Sequence, residues 1–395
     1  MSSAESKSRQ SRGTGRNRDP YLMGSLQKAL LILDHLNRSS RPLAIKDLVA
    51  KTEIERGTVF RVLYTLEKSG YVERLPNKAY RSKFRRRARL GYSAPLAGTP
   101  FRRDVLKGLE KAAQKFDAEL VVLDNTDKET GMVLDNVKVF LEAGVDLVIE
   151  FQPVETIAHL LADRFSSAGI HVIAVESLIP GTVFFGANNY QAGKLAGQTL
   201  GRFANERWEG RFDKVVLIGS SLMPLASKAR TTGAKDGIEE LVGALDEERI
   251  IRLDGQTHVE TSRAAAITML NGLAADTRLL ISAFNDPSAI GALQAVRALG
   301  RERQVAIVGQ NGTEEARAEI RNPDSPFIAS VAYFPERFGE KLLSVAMSII
   351  KGDKVPLAIY IDNVVLAADN IDKYYPTASQ PSSLLEPALG QSTPD

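Results

Sequence analysis

Residues 54–83 read IERGTVFRVLYTLEKSGYVERLPNKAYRSK. Val59, Val62, Leu63 and Leu66 follow the i, i+3, i+4, i+7 spacing that lines one face of an α-helix. Gly70 suits the conformation that ends a helix, so the helix is predicted to close near Ser69. Its other face carries Thr58, Arg61, Thr65 and Lys68, all hydroxyls and cations without a carboxylate. Such a face is suited to the phosphates and base edges of DNA. Beyond Gly70, residues 71–75 and 79–83 are short segments joined by Pro76-Asn77-Lys78, which predicts a small basic hairpin.

Two helices are expected upstream. Residues 25–36 (SLQKALLILDHL) place Ser25 at the N-cap and Leu26, Leu30, Leu33 and Leu36 on one face. Residues 45–51 form a short second helix with Leu48 and Val49 turned inward. Helix, tight turn, helix and basic hairpin describe a winged helix-turn-helix. The blocks SLQKALLILDHL, LAIKDLVAKT and TVFRVLYTLEKSGYVER, with the Tyr80-Arg81 return, resemble the DNA-binding domain of IclR-type regulators over roughly residues 22–83. Glu53 stands where that family turns on Gly, and Glu55 and Gly57 stand where it has Pro and a small hydroxyl residue. The resemblance implies a double-stranded DNA operator as partner. Arg56, Thr58, Arg61 and Thr65 are the expected contacts of the recognition helix, and Lys78, Arg81 and Lys83 those of the wing. A homodimer would set two recognition helices on half-sites about one helical turn apart, hence a palindromic operator.

A length of 395 residues predicts two or three domains. Cysteine is absent, which excludes disulfides, thiolate catalysis and Cys-based zinc sites. No apolar run reaches the ~18 residues of a membrane span, and the basic N-terminus has no apolar segment after it. A cytoplasmic protein without a membrane partner is expected. Residues 1–89 hold 21 Lys+Arg against 8 Asp+Glu, while the remainder holds 30 against 40. A basic head on an acidic body fits a head that binds a polyanion and a body that does not. Residues 1–19 and 377–395 are expected as flexible tails, 20–84 as the winged domain and 85–89 as a basic linker.

From residue 90 onward, apolar strands such as DLVIE (146–150), HVIAV (171–175), KVVLIG (214–219) and RLLISA (278–283) alternate with amphipathic helices. That rhythm predicts parallel sheets covered on both faces. About ten strands are too many for one simple doubly wound sheet, so the body is read as two α/β lobes. Lobe 1 takes about 90–187 and 334–352, and lobe 2 about 188–332 and 356–376. The segments DLVIEFQP (146–153), HVIAVES (171–177), AFNDPSAIG (283–291), AIVGQNGT (306–313) and ASVAYFPERFGEKLLSVAMSIIKGDKVP (329–356) resemble type I periplasmic-binding-protein domains, the LacI-type sugar sensors among them. The expected fold is therefore a two-lobed α/β periplasmic-binding-protein-like domain behind a small, mainly α winged helix-turn-helix.

Ligands bind such sheets beyond the carboxyl ends of their strands. That rule selects Gln152, Glu176, Ser177, Asn285, Asp286 and Asn311, with Tyr333 at the crossover. Asp286 is expected to cap the following helix and Asn285 to point into the cleft. The resemblance adds Phe101 and Arg230 and implies a sugar, polyol or sugar acid as effector, with Phe101 or Tyr333 stacking on its apolar face. Glu176-Ser177 replaces the Asp-Arg of sugar-binding members, and Asn311 replaces an Asp. Closure of the lobes on the ligand would then respace the DNA-binding heads. The rival readings are a transport substrate-binding protein and a sugar-modifying enzyme. Against an enzyme, His35, His159, His171 and His258 show no catalytic or metal spacing, and no phosphate-binding Gly-rich loop follows a strand. Gly193, Gly197 and Gly201 lie four apart on one helix, a sign of close packing. No catalytic residue, metal or cofactor is expected.

Overall fold

A computed structural model describes residues 21–39, 41–83, 87–96, 100–126 and 130–376. The tails expected at 1–19 and 377–395 and residues 85 and 86 of the expected linker lie outside the described residues. The chain divides into two units, 1–87 and 88–395.

The first unit contains α1 (Gly24–Arg38), α2 (Ile45–Thr52), α3 (Arg56–Lys68), β1 (Val72–Arg74) and β2 (Tyr80–Ser82). Ile32, Leu36, Leu48, Val59, Leu63, Val72 and Tyr80 share one buried cluster, with Val62 and Leu66 packed against it. β1 and β2 pair antiparallel, Val72 opposite Ser82 and Arg74 opposite Tyr80. Two expectations for α1 are corrected. The helix starts at Gly24 after Met23, without a capping side chain, so Ser25 lies inside it. Leu26 and Leu30 are 52% and 56% exposed, because the inward edge is set by Ile32 and Leu36, one turn apart, and the two leucines fall beside it.

The second unit opens with β3 (Arg89–Ala94), α4 (Pro100–Phe116), β4 (Glu119–Asp124), α5 (Thr130–Glu142), β5 (Leu147–Glu150), α6 (Ala158–Ser167), β6 (His171–Val175) and β7 (Val183–Gly186). It continues through α7 (Asn189–Trp208), β8 (Lys214–Gly219), α8 (Pro224–Val242), β9 (Ile250–Asp254), α9 (Val259–Asn271), β10 (Leu279–Ala283), α10 (Asp286–Ala298), β11 (Val305–Asn311), α11 (Glu314–Arg321) and β12 (Phe327–Ala332). It closes with α12 (Phe338–Ile350), β13 (Ala358–Tyr360), β14 (Val364–Ala367) and α13 (Ile371–Tyr374). One sheet runs β13-β7-β6-β5-β3-β4 and the other β14-β12-β11-β10-β8-β9. Every neighbouring pair is parallel except the antiparallel edge pair β12–β14. Fully buried runs such as Leu147–Glu150 and Leu279–Ala283 explain why these strands carry almost no polar alternation.

The chain crosses between lobes at 187–188, 333–337 and 361–363. Because β13 pairs with β7, residues 358–360 belong to the first lobe, correcting the lobe boundary expected at 356. Arg89, expected in the linker, is the first residue of β3, its guanidinium bound to Glu119 and to the Ala143 carbonyl. In the second lobe α7 and α8 touch backbone to backbone. A Cβ at Gly193 would lie 2.0 Å from the Arg230 carbonyl oxygen and one at Gly197 2.0 Å from that of Ala234. Gly233 and Gly237 answer from α8, at 2.1 and 2.2 Å from the Tyr190 and Lys194 oxygens. The glycine spacing on α7 therefore does serve helix packing.

Candidate functional site

The departures around α3 have a structural answer. Glu53 takes the left-handed conformation, φ 56°, that ends α2. Glu55 caps α3, accepting the Gly57 N–H at 3.0 Å and the Thr58 N–H at 3.2 Å. These bonds, Gly57 first, hold the Glu55 carboxyl below its ordinary range. A Cβ at residue 57 would sit 2.9 Å from that carboxylate, so Gly makes room for the larger cap. Arg56, Arg61 and Thr65 are exposed on α3 and Thr58 is half-buried. Thr58 Oγ1 donates to Glu55 and accepts from Arg61 at 3.4 Å, which steadies the guanidinium beside the helix. In the wing, Lys78 turns at φ 62°, Lys83 is exposed, and Arg81 donates to Glu73 across the hairpin at 2.6 Å. The sequence reading missed Phe60 and Tyr64, 48% and 54% exposed, stacked at 6.5 Å with the Lys68 ammonium over Tyr64. Their i, i+4 spacing off the core stripe was the available signal.

In the second unit, α8 carries Arg230 two turns into the helix, buried at the carboxyl ends of the second lobe's strands. Its Nε donates to Asn189 at 2.7 Å and its Nη1 to the Phe284 carbonyl at 2.8 Å. The guanidinium lies 4.4 Å from the Phe284 ring and 5.1 Å from that of Tyr333. Tyr333, expected to stack on a ligand, is 2% exposed and gives its hydroxyl proton to Gln310, so its ring supports Arg230 instead. From the other lobe comes Glu176, buried after β6 at φ 60°, accepting the Ala187 N–H at 3.1 Å. Burial raises its carboxyl, and the Arg230 charge opposes that rise. Gly186 permits the approach, since a Cβ there would meet the Glu176 backbone at 3.1 Å.

Neither Asn285 nor Asp286 takes the role expected of it. Asn285 caps α10 by accepting the Ser288 N–H at 3.0 Å. Asp286 is fully buried, one oxygen taken by Ser330 Oγ at 2.7 Å and the other by the Thr313 N–H at 2.7 Å. Asp286 thus ties α10 to β12 and the loop after β11 and offers a ligand nothing; a side chain capping its own helix cannot also reach across the sheet. Asn311 is half-buried at φ 117° beside Gly312. Ser177 is buried, its hydroxyl donating to the Val175 carbonyl at 3.4 Å. Phe101, on the first turn of α4, packs edge-on against Phe151 and Phe338. Gln152 is 3% exposed, its oxygen accepting the Val154 N–H at 2.8 Å and its Nε2 left without a partner.

Sequence reasoning also missed a polar layer at the ends of β3 and β5. Glu150 is buried and accepts from Ser93 Oγ at 3.0 Å and Asn125 Nδ2 at 2.9 Å. Burial lifts its carboxyl to about 8 and that of Asp286 to about 7. Both are raised above their unfolded values, so their contribution is full below the ordinary carboxylate range and is lost as pH rises through those values. Their share of the melting temperature of the second unit is therefore expected to fall from about pH 4.5 to about pH 8. A Glu150→Gln variant should flatten that fall, and a fall as steep as the parent's would remove Glu150 as its source. A cavity of about 990 Å³ lies elsewhere, among Gly108, Arg317, Arg337 and Tyr375, and includes none of the strand-end residues.

A family model described as a periplasmic binding protein domain matches residues 90–354. The chain belongs to that family. A second model, the IclR helix-turn-helix domain, matches residues 25–76. Outside the head, the periplasmic binding protein domain is 26% identical over 285 residues to the ribose import binding protein of Bacillus subtilis (strain 168), covering 68% of this chain and 84% of that one. It shares its fold with a solute-binding protein of Actinobacillus succinogenes 130z holding D-allose, at TM-score 0.63 and 18% identity over 73% of this chain and 100% of that one. The Caulobacter myo-inositol binding protein bound to myo-inositol gives TM-score 0.62 and 22% identity over 72% and 94%. These relatives of the periplasmic binding protein domain are binding proteins, not enzymes. Among the described residues no three His, Asp or Glu are placed to hold a metal, and no helix is long and apolar enough to cross a membrane.

Proposed function

We propose that this chain is a ligand-responsive transcriptional regulator: the IclR-type head binds double-stranded DNA, and the periplasmic binding protein domain senses a sugar, polyol or sugar acid between its lobes. The observation that carries it is that Arg230 and Glu176, contributed by opposite lobes, are both buried at the strand ends, in a chain that also bears a helix-turn-helix. Amide, carboxylate and guanidinium groups are suited to dense hydroxyls, and similarity to a ribose import binding protein supports that ligand class. The lobes also meet where Glu155 accepts the Leu225 N–H at 3.2 Å, at the start of α8. A carboxylate is favoured at that helix end, so the contact supports closure around a ligand. The regulator acts on DNA in the cytoplasm as a homodimer on a palindromic operator.

Gel shift on an operator selected from random duplexes tests the DNA half. Arg61→Ala should weaken binding by about 1–3 kcal/mol, roughly 5- to 150-fold. Unchanged affinity would remove α3 as the reading helix. For the sensor, a true ligand at about a hundred times its dissociation constant adds roughly 2.7 kcal/mol and raises the melting temperature. The other reading, an import binding protein, rests on the relatives' names and leaves the head without a task.

A further inference from the structure

α4 opens with Phe101, Arg102 and Arg103 and has no acid in its first turn, where the helix dipole disfavours cations. Arg102 is half-buried there, its guanidinium 5.6 Å from the ring of Phe151, the residue that follows β5. That places its charge at the carboxyl edge of the first lobe's sheet, where the family fold binds ligands. Among the described residues no carboxylate forms an ion pair with it and no acceptor takes a hydrogen bond from its guanidinium. The two buried arginines differ: Arg301 donates to the carbonyls of Leu270 and Ala274, and Arg230 to Asn189 and the Phe284 carbonyl.

Two further donors at this end of the lobe are buried without acceptors. Tyr92, on β3, is 0% exposed with its hydroxyl unpartnered, and its phenol feels the Arg102 charge. Gln152 leaves Nε2 unpartnered at 3% exposure. Unsatisfied buried donors are costly unless a bound group completes them. No carboxylate of the described residues acts on the Arg102 charge as Arg230 acts on Glu176, so the guanidinium is open to an anion from outside the protein.

We propose, on the footing of the sensor reading above, that the ligand carries a carboxylate received by Arg102, making it a sugar acid rather than a neutral sugar. The planar guanidinium offers two parallel N–H groups to the two oxygens of a carboxylate. A single guanidinium cation matches one negative charge, whereas a phosphate monoester brings about 1.5 to 2.

The test titrates the full-length protein, parent and Arg102→Gln, with D-gluconate and D-galacturonate, with neutral D-ribose and myo-inositol, and with D-ribose 5-phosphate, following melting temperature and heat of binding. The expected result is that a carboxylate probe binds the parent and loses at least about tenfold affinity in Arg102→Gln. The unliganded variant should melt no lower than the parent, because it removes a cation without a partner. Binding confined to the neutral sugars, equal in parent and variant, overturns the inference and leaves the sensor reading standing. Binding of the phosphate alone overturns the carboxylate. If none of the five probes binds, the sensor reading falls and the inference with it.

Discussion

Arg230→Ala is expected to lower the melting temperature of the sensor by on the order of 10 °C and to abolish its response to ligand. Removing a buried guanidinium leaves each group it bonded without a donor, at about 1–3 kcal/mol apiece. In a domain of this size each kcal/mol moves the midpoint by about 2–4 °C. Here the Phe284 carbonyl and the Asn189 oxygen lose their donor, and the buried Glu176 carboxyl loses the positive charge that opposes its rise. Burial already raises the Glu176 carboxyl; without Arg230 it rises further, so the variant should regain stability as pH falls. The double variant Arg230→Ala/Glu176→Gln should recover part of the loss at neutral pH. Melting of the single variant within about 2 °C of the parent would show that the pair does not hold the lobe ends together.

Gly197→Ala is the second large effect, and it acts through shape alone. Its Cβ would stand 2.0 Å from the Ala234 carbonyl oxygen, well inside any contact a real Cβ makes. α7 and α8 must separate, at a cost of roughly 3 kcal/mol. That again amounts to on the order of 10 °C. Because Gly193 meets the Arg230 carbonyl on the same seam, separation also shifts the guanidinium, and ligand affinity should fall with stability. Gly131→Ala is the matched comparison. Nothing lies within 4 Å of a Cβ there, so the same exchange should be neutral or stabilising by about 0.5–1 kcal/mol. Equal melting of the two variants would refute the account of the seam.

The fold was legible because its strands are uniformly apolar and its helices amphipathic, so period alone separates them. The recognition helix was legible for the same reason, and Val59, Val62, Leu63 and Leu66 all face the core. The site was legible only as a set of chain positions. The strand-end rule reached Gln152, Glu176 and Asn311 but could not tell Asn285 from Asp286, which differ by one residue and point to different neighbours. Arg102 escaped because the family resemblance drew attention to Phe101 beside it, although a cation in a first helical turn was itself a signal.

Taken alone, the chain's sequence determined the order of elements, the winged head, the two lobes and the separation of basic head from acidic body. These follow from periodicity, turn chemistry and charge, which are local or additive along the chain. Tertiary structure decided which polar groups are spent on the protein and which are left over. Asp286 is used up by Ser330 and Thr313, 44 and 27 residues away, while Tyr92 and Gln152 keep donors unsatisfied. Whether a buried group has a partner depends on contacts far apart in sequence, and no local pattern records them.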